Sequence, residues 1–148
     1  MDFEAIETAV RWRALQVAAR AVEGRLNSDT SDHRGSSFPC PCGQLARYAG
    51  RRPKTFQTAL GEMTLKRAYY DCAACGRGVC PRDRALGMGG TSLSPAVTRM
   101  AGLAAAMVSF QESSELLDKL AGLPVGAKQV ERTAEALGRE IAQDERAV

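Results

Sequence analysis

Residues 40–76 read CPCGQLARYAGRRPKTFQTALGEMTLKRAYYDCAACG, and the two ends of this stretch decide the fold. Cys40-Pro41-Cys42-Gly43 opens it, and Cys72-Ala73-Ala74-Cys75-Gly76 closes it. Each pair ends in Cys-Gly. In a zinc knuckle the chain turns sharply so that amide N–H groups point at the thiolate sulfurs, and glycine takes the positive φ of that turn. Between the pairs lie Thr-rich and aromatic segments: Leu45–Tyr48, Lys54–Leu60 and Met63–Tyr70. These have strand character, and the last two are expected to form an antiparallel hairpin turning at Gly61-Glu62. A hairpin with a knuckle at each end is a zinc ribbon, with Cys40, Cys42, Cys72 and Cys75 as four sulfur ligands to Zn2+. So small a ribbon has little core. Metal binding then supplies much of its folding energy, on the order of 10 kcal/mol in comparable peptides.

The first pair has one intervening residue and the second has two, so the first ring is tighter. Free thiols in a reducing compartment are the bland alternative. An odd total of five cysteines argues against a disulfide framework. Cys80, the spare, is either a buried small hydrophobe or a replacement for Cys40 or Cys42. His33 stands alone in a polar segment and reads as solvated. With a single histidine and no nucleophile-elbow motif, no catalytic residue is assigned.

Working outward, charge concentrates around the cysteines. The chain has 148 residues, 20 Lys+Arg against 17 Asp+Glu, and a formal charge of +3. Residues 34–84 hold ten of the cations against three acids, a net of +7, while 1–33 and 85–148 are each −2. A basic middle third points to a polyanion, most often nucleic acid, with an Arg-rich solvated surface as the alternative. Arg51, Arg52 and Lys54 are expected in a turn between strands, where they reach phosphates of double-stranded DNA. Apolar runs fall short of the roughly 20 residues that cross a bilayer. Met1-Asp2-Phe3-Glu4 lacks the basic start of a signal peptide, so a cytoplasmic protein without membrane contact is expected.

The flanks read as helical. Asp2 to about Asn27 carries an apolar stripe at Ile6, Val10, Ala14, Val17 and Ala21, expected to face the core. A polar linker and a loop through Phe38 follow. After the second knuckle the chain is expected to be irregular as far as Gly90. Ser94-Pro95 then caps a helix to about Val108, apolar on most sides and so expected to be buried. Ser109 and Glu112 have capping-box spacing for a helix over 110–121 ending at Gly122, and Ala127 begins the last helix. The expected fold class is therefore α+β: an N-terminal helix and linker (1–33), a basic zinc-ribbon β-hairpin module (34–90), and an all-α region with a helix-turn-helix (91–148).

The helix-turn-helix reading rests on Leu116, Leu117 and Leu120 packing against Val130, Ala134, Leu137 and Ile141. It leaves Lys128, Gln129 and Arg132 outward as base-facing residues, since Lys and Arg read guanine and Gln reads adenine. Glu131 and Glu135 dilute the positive field. An αα-hairpin in a helical bundle is the other reading of the same pattern.

Several motifs in order carry a family likeness. Tyr48-Ala-Gly-Arg-Arg-Pro-Lys-Thr55, Leu60-Gly61-Glu62, Arg67-Ala-Tyr-Tyr70, Cys72-Ala-Ala-Cys-Gly-Arg-Gly78, Pro81-Arg-Asp83 and Leu93-Ser94-Pro95 resemble the N-terminal region of ISKra-type bacterial insertion-sequence transposases. Phe110–Leu117 through Lys128–Arg132 is similar to the helix-turn-helix that follows in that family. The resemblance covers roughly residues 38–138 and implies DNA binding at transposon ends. Separately, a homodimer is a candidate assembly. It also implies a following RNase-H-like domain with an acidic triad. Residues 91–148 have no strands to carry such carboxylates, so this chain is expected not to cleave or join DNA by itself. A free-standing zinc-ribbon transcriptional regulator is the alternative function.

Overall fold

The structure, a computed structural model, describes residues 2–147. It is α+β: an N-terminal helix, a four-stranded antiparallel sheet and C-terminal helices. Two compact units divide the chain. One comprises residues 1–56 and 60–92, the other residues 57–59 and 93–148. The N-terminal helix thus belongs to the same unit as the ribbon.

In the first unit, α1 (Phe3–Ser28) starts at Asp2, whose side chain accepts from the Ala5 N–H at 2.8 Å. The sheet runs in the order β1 (Ser37–Pro39), β2 (Leu45–Thr58), β3 (Gly61–Asp71) and β4 (Gly78–Val79). β1 pairs antiparallel with β2, and β4 with β3. The loop expected through Phe38 therefore contains a strand, because Ser37–Pro39 finds the start of β2 to pair with. Likewise, the irregular stretch after Cys75 contains β4 and a one-turn helix, α2 (Pro81–Ala85).

β2 corrects a second expectation. It is continuous through Arg51–Lys54, so these cations stand on a strand rather than in a turn. Pro53 permitted that reading, but an X-Pro step favours extended backbone and does not break a strand. The hairpin turns at Ala59-Leu60, two residues before the expected Gly61-Glu62.

α1 covers β3, but not with the expected stripe. Ala19 is buried against Phe56, Met63, Leu65 and Met88, with Leu26 and Leu60 packed around them. Ile6, Val10 and Val17 are exposed. Both sides of the helix are apolar, and the side containing Trp12, Leu15, Ala19 and Leu26 wins because its polar members do work on the sheet. The Glu23 carboxylate accepts from Thr64 N–H at 2.7 Å. The Asn27 amide donates to Thr64 O at 3.0 Å and accepts from Lys66 N–H at 2.9 Å. Asp32 accepts from Ala68 N–H at 2.8 Å. These side chains satisfy alternate backbone groups of β3 where a further strand would otherwise pair.

In the second unit, α3 (Pro95–Met107), α4 (Phe110–Ala121) and α5 (Ala127–Ala147) pack against one another. Their core is Leu93, Val97, Ala101, Leu117, Leu123, Val125 and Val130. The expected caps are present. Ser94 accepts from Val97 N–H, Ser109 accepts from Glu112 N–H, and Gly122 N–H donates to the Asp118 carbonyl. Two packing expectations need correction. α3 is not buried on most sides, since Leu103 and Met107 face out. Of the three leucines assigned to the helix-turn-helix seam, only Leu117 is buried; Leu116, Leu120 and Ile141 are exposed. The connecting segment contributes to this core instead, through Leu123 and Val125.

Candidate metal centre

Each knuckle is the turn of a short hairpin. Residues 40–44 join β1 to β2, and residues 72–77 join β3 to β4. Because β2 and β3 are themselves joined by a tight turn, the start of β2 lies beside the end of β3, and both knuckles arrive at the same end of the sheet. Their backbones share one pattern. Cys40 N–H donates to Gln44 O and Gly43 N–H returns to Cys40 O; Cys72 N–H donates to Arg77 O and Gly76 N–H returns to Cys72 O. Gly43 and Gly76 take the positive φ this closure needs, +92° and +72°.

The four sulfurs converge. All lie within 4.8 Å of one another. Cys40 Sγ is 3.6 Å from Cys75 Sγ, and Cys42 Sγ is 3.6 Å from Cys72 Sγ. Such spacings are far too long for a disulfide, at about 2.05 Å. They match the edge of a sulfur tetrahedron, about 3.8 Å, around an ion with bonds of about 2.3 Å. The crossed pairing sets the first cysteine of each knuckle against the second of the other, so the shorter Cys-Pro-Cys turn still presents both its thiols.

Amide groups and mutual repulsion split the titration of the cluster. Cys75 N–H, pointing at Cys72, draws that thiol down to about 7 against the cost of burial, with help from Cys42, Cys75 and the Ala74 N–H. Cys42 N–H pulls Cys40 the same way, but desolvation and the three neighbouring sulfurs outweigh it and push Cys40 up to about 12. Four thiols this close cannot all ionise without a cation among them. Cys40 and Cys72 are buried, Cys42 and Cys75 exposed, so the site is reachable from solvent.

The surroundings hold the knuckles rigidly. Tyr70 is fully buried; its hydroxyl donates to Gly35 O at 2.9 Å and accepts from Arg34 N–H at 2.7 Å. Phe38 and Tyr48 pack on its ring, and His33 packs edge-on against Tyr48. Cys80 lies outside the cluster, buried at the N-terminus of α2, where burial pushes its thiol up.

The cations of the basic segment fall into two groups. Arg67 binds Asp83 through both ends of its guanidinium, at 2.8 and 2.9 Å, and reaches Arg52 O; both partners are buried. Arg82 donates to Leu26 O and Asp29 O, the exposed carbonyls at the end of α1, where a cation also suits the helix dipole. Arg51 pairs with Asp32 at 2.8 Å and donates to Lys66 O, while Lys54 donates to Thr91 O. Arg34, Arg47, Arg52, Lys66, Arg77 and Arg84 point their charge outward. Arg52 also lies over the Tyr69 ring at 3.9 Å. In the second unit Lys128 and Arg132 are exposed and Gln129 is half-buried at the start of α5. Sequence reasoning missed the internal role of Arg67, Arg82 and Asp32; charge counting cannot tell an ion-paired arginine from a free one.

No protein-family model matches the chain. No curated protein matches it either. The chemistry of the site therefore carries the functional reading. No helix among the described residues is long and apolar enough to cross a membrane.

Proposed function

We propose that the chain is a double-stranded DNA-binding region whose ribbon is held by one structural zinc ion, and that it serves as the end-recognition part of an ISKra-type transposase. The carrying observation is the four-sulfur cluster closing the most basic stretch of the chain. An all-thiolate tetrahedral set suits Zn2+ and leaves no open position for substrate, so its role is structural. Cys40, Cys42, Cys72 and Cys75 hold the ion as thiolates, and the knuckle amides offset their charge. Six outward cations, among them Arg47, Arg52 and Lys66, supply phosphate contacts. Arg51 and Lys54 contribute less, because their donors are engaged within the protein. Lys128, Gln129 and Arg132 at the start of α5 read bases.

Duplex binding measured by fluorescence anisotropy across a salt series tests this reading. The zinc-loaded protein binds with a strongly negative log–log salt slope, and each removed phosphate contact reduces that slope by about 0.9. Chelation abolishes binding. Absence of duplex binding at low salt by the metal-loaded protein contradicts the proposal.

A further inference from the structure

Every residue of α1 from Phe3 to Arg11 is exposed, and an apolar stripe continues along the solvent side of the rest of the helix. Phe3, Ile6, Val10 and Val17 are 70%, 41%, 61% and 71% exposed, and Ala14 and Ala21 lie open between and beyond them. The positions recur after 11 residues: 3 and 14, 6 and 17, 10 and 21. An 11-residue repeat keeps a stripe on one side of a nearly straight helix. From Phe3 to Ala21 it runs about 27 Å at 1.5 Å per residue. The buried side of α1 packs on β3 through Ala19, and this stripe lies on the opposite side of the helix.

We propose that this stripe is the contact by which two copies of the chain pair, α1 against α1, antiparallel. Two features of the stripe select this occupant and this direction. The first is volume. In antiparallel register Phe3 meets the partner's Ala21, Ile6 the partner's Val17, and Val10 the partner's Ala14, so large residues at one end fill the room left by small ones at the other. Parallel pairing stacks Phe3 on Phe3 and Ala21 on Ala21, which props one end apart and leaves the other loose. The second is charge. Asp2, Glu4 and Glu7 crowd the first turns, while Arg25 lies in the last one; Arg20 is already engaged by Glu23 and the Glu62 carbonyl. Antiparallel helices bring the acids of one copy toward the Arg25 end of the other; parallel helices bring acids onto acids. The pairing is isologous, as a two-fold dimer requires. It does not depend on DNA binding, and its failure would leave the zinc and DNA readings untouched.

Sedimentation of the zinc-loaded 148-residue protein, between about 1 and 100 µM where a small interface dissociates, is the test. The expected result is a reversible monomer–dimer equilibrium. Val10→Glu with Val17→Glu raises the dissociation constant at least about 100-fold, since both charges would be buried in the pair. At concentrations where the wild type is monomeric, the same variant keeps the wild-type zinc content and thermal transition, because both side chains face solvent in one copy. Direction is read separately: an equimolar mixture of Phe3→Cys and Ala21→Cys proteins forms the mixed disulfide, and Phe3→Cys alone does not exceed the wild-type background. A wild type that stays monomeric throughout overturns the proposal, as does a dimer that survives the double substitution. Efficient self-crosslinking of Phe3→Cys overturns the antiparallel arrangement.

Discussion

Removing Arg67 or Asp83 tests how far the basic character of residues 34–84 is structural. Each leaves the other as a buried, unpaired charge, and breaking such a pair costs about 3–5 kcal/mol. Burial alone would lower the Arg67 pKa, but the carboxylate of Asp83 outweighs it and raises it above its ordinary value. Arg67→Ala is therefore expected to lower urea stability by that amount, while Arg52→Ala changes it by no more than the ~1 kcal/mol of an exposed cation–π contact. In the proposed DNA binding the order is expected to reverse. Arg52→Ala flattens the salt slope by about 0.9 without unfolding the protein. Equal effects of the two substitutions in either assay contradict this division. Asp32 adds a pH signature. Desolvation would raise its carboxyl, but Ala68 N–H and Arg51 outweigh it and hold it below its ordinary 3.8. A depressed carboxylate adds stability that is complete above the unfolded pKa and lost as pH falls through the folded one. The stability difference between wild type and Asp32→Asn is thus full at neutral pH and shrinks below about pH 4. A difference that grows on acidification contradicts it.

At the level of elements, α1 does for β3 what a fifth strand would do. Asn27 pairs with both Thr64 O and Lys66 N–H, so Asn27→Ala leaves a donor and an acceptor of the sheet without partners, at a cost of about 1–3 kcal/mol by chemical denaturation. No change in stability would mean that water replaces the side chain freely. Ser113 offers the opposite case. Its hydroxyl is fully buried in α4 without a partner, so Ser113→Ala is expected to leave stability unchanged or raise it by up to about 1 kcal/mol. These elements also show what was readable in the sequence. Helix ends were legible because Ser94, Ser109 and Gly122 act within three or four residues of themselves. The knuckles were legible for the same reason, each Cys-Gly turn closing on its own backbone. The face of α1 was not, because both sides carry apolar residues and the choice depends on Glu23, Asn27 and Asp32 meeting a strand some forty residues away. Nor was the continuity of β2, where local Pro and Arg residues imitate a turn that long-range pairing overrides. The seam of α4 and α5 failed likewise, since Leu123 and Val125 of the connecting segment enter the core while Leu116, Leu120 and Ile141 stay exposed.

On the scale of the molecule, the proposed function gives the ribbon and the helical unit different tasks, and the expected effects of substitutions follow from it. Phosphates carry no sequence information, so losing Arg47 or Lys66 weakens binding to all duplexes alike. Losing Arg132 costs about 1–3 kcal/mol on a preferred site and much less on random DNA. The preferred site is obtained by selecting bound sequences from a random pool. Equal loss on both kinds of DNA would reduce α5 to a positioning element. Both proposed tasks depend on the proposed metal, because without it Cys40, Cys42, Cys72 and Cys75 would hold mutually repelling thiolates at one end of a thin sheet. Zinc stoichiometry, measured by elemental analysis after purification without added metal, tests that claim most directly. One zinc per chain in the wild type and in Cys80→Ser, with loss of zinc and of the folded ribbon in Cys72→Ser and Cys75→Ser, is the predicted result. A folded, metal-free wild type contradicts it, as does a Cys75→Ser protein that keeps its zinc.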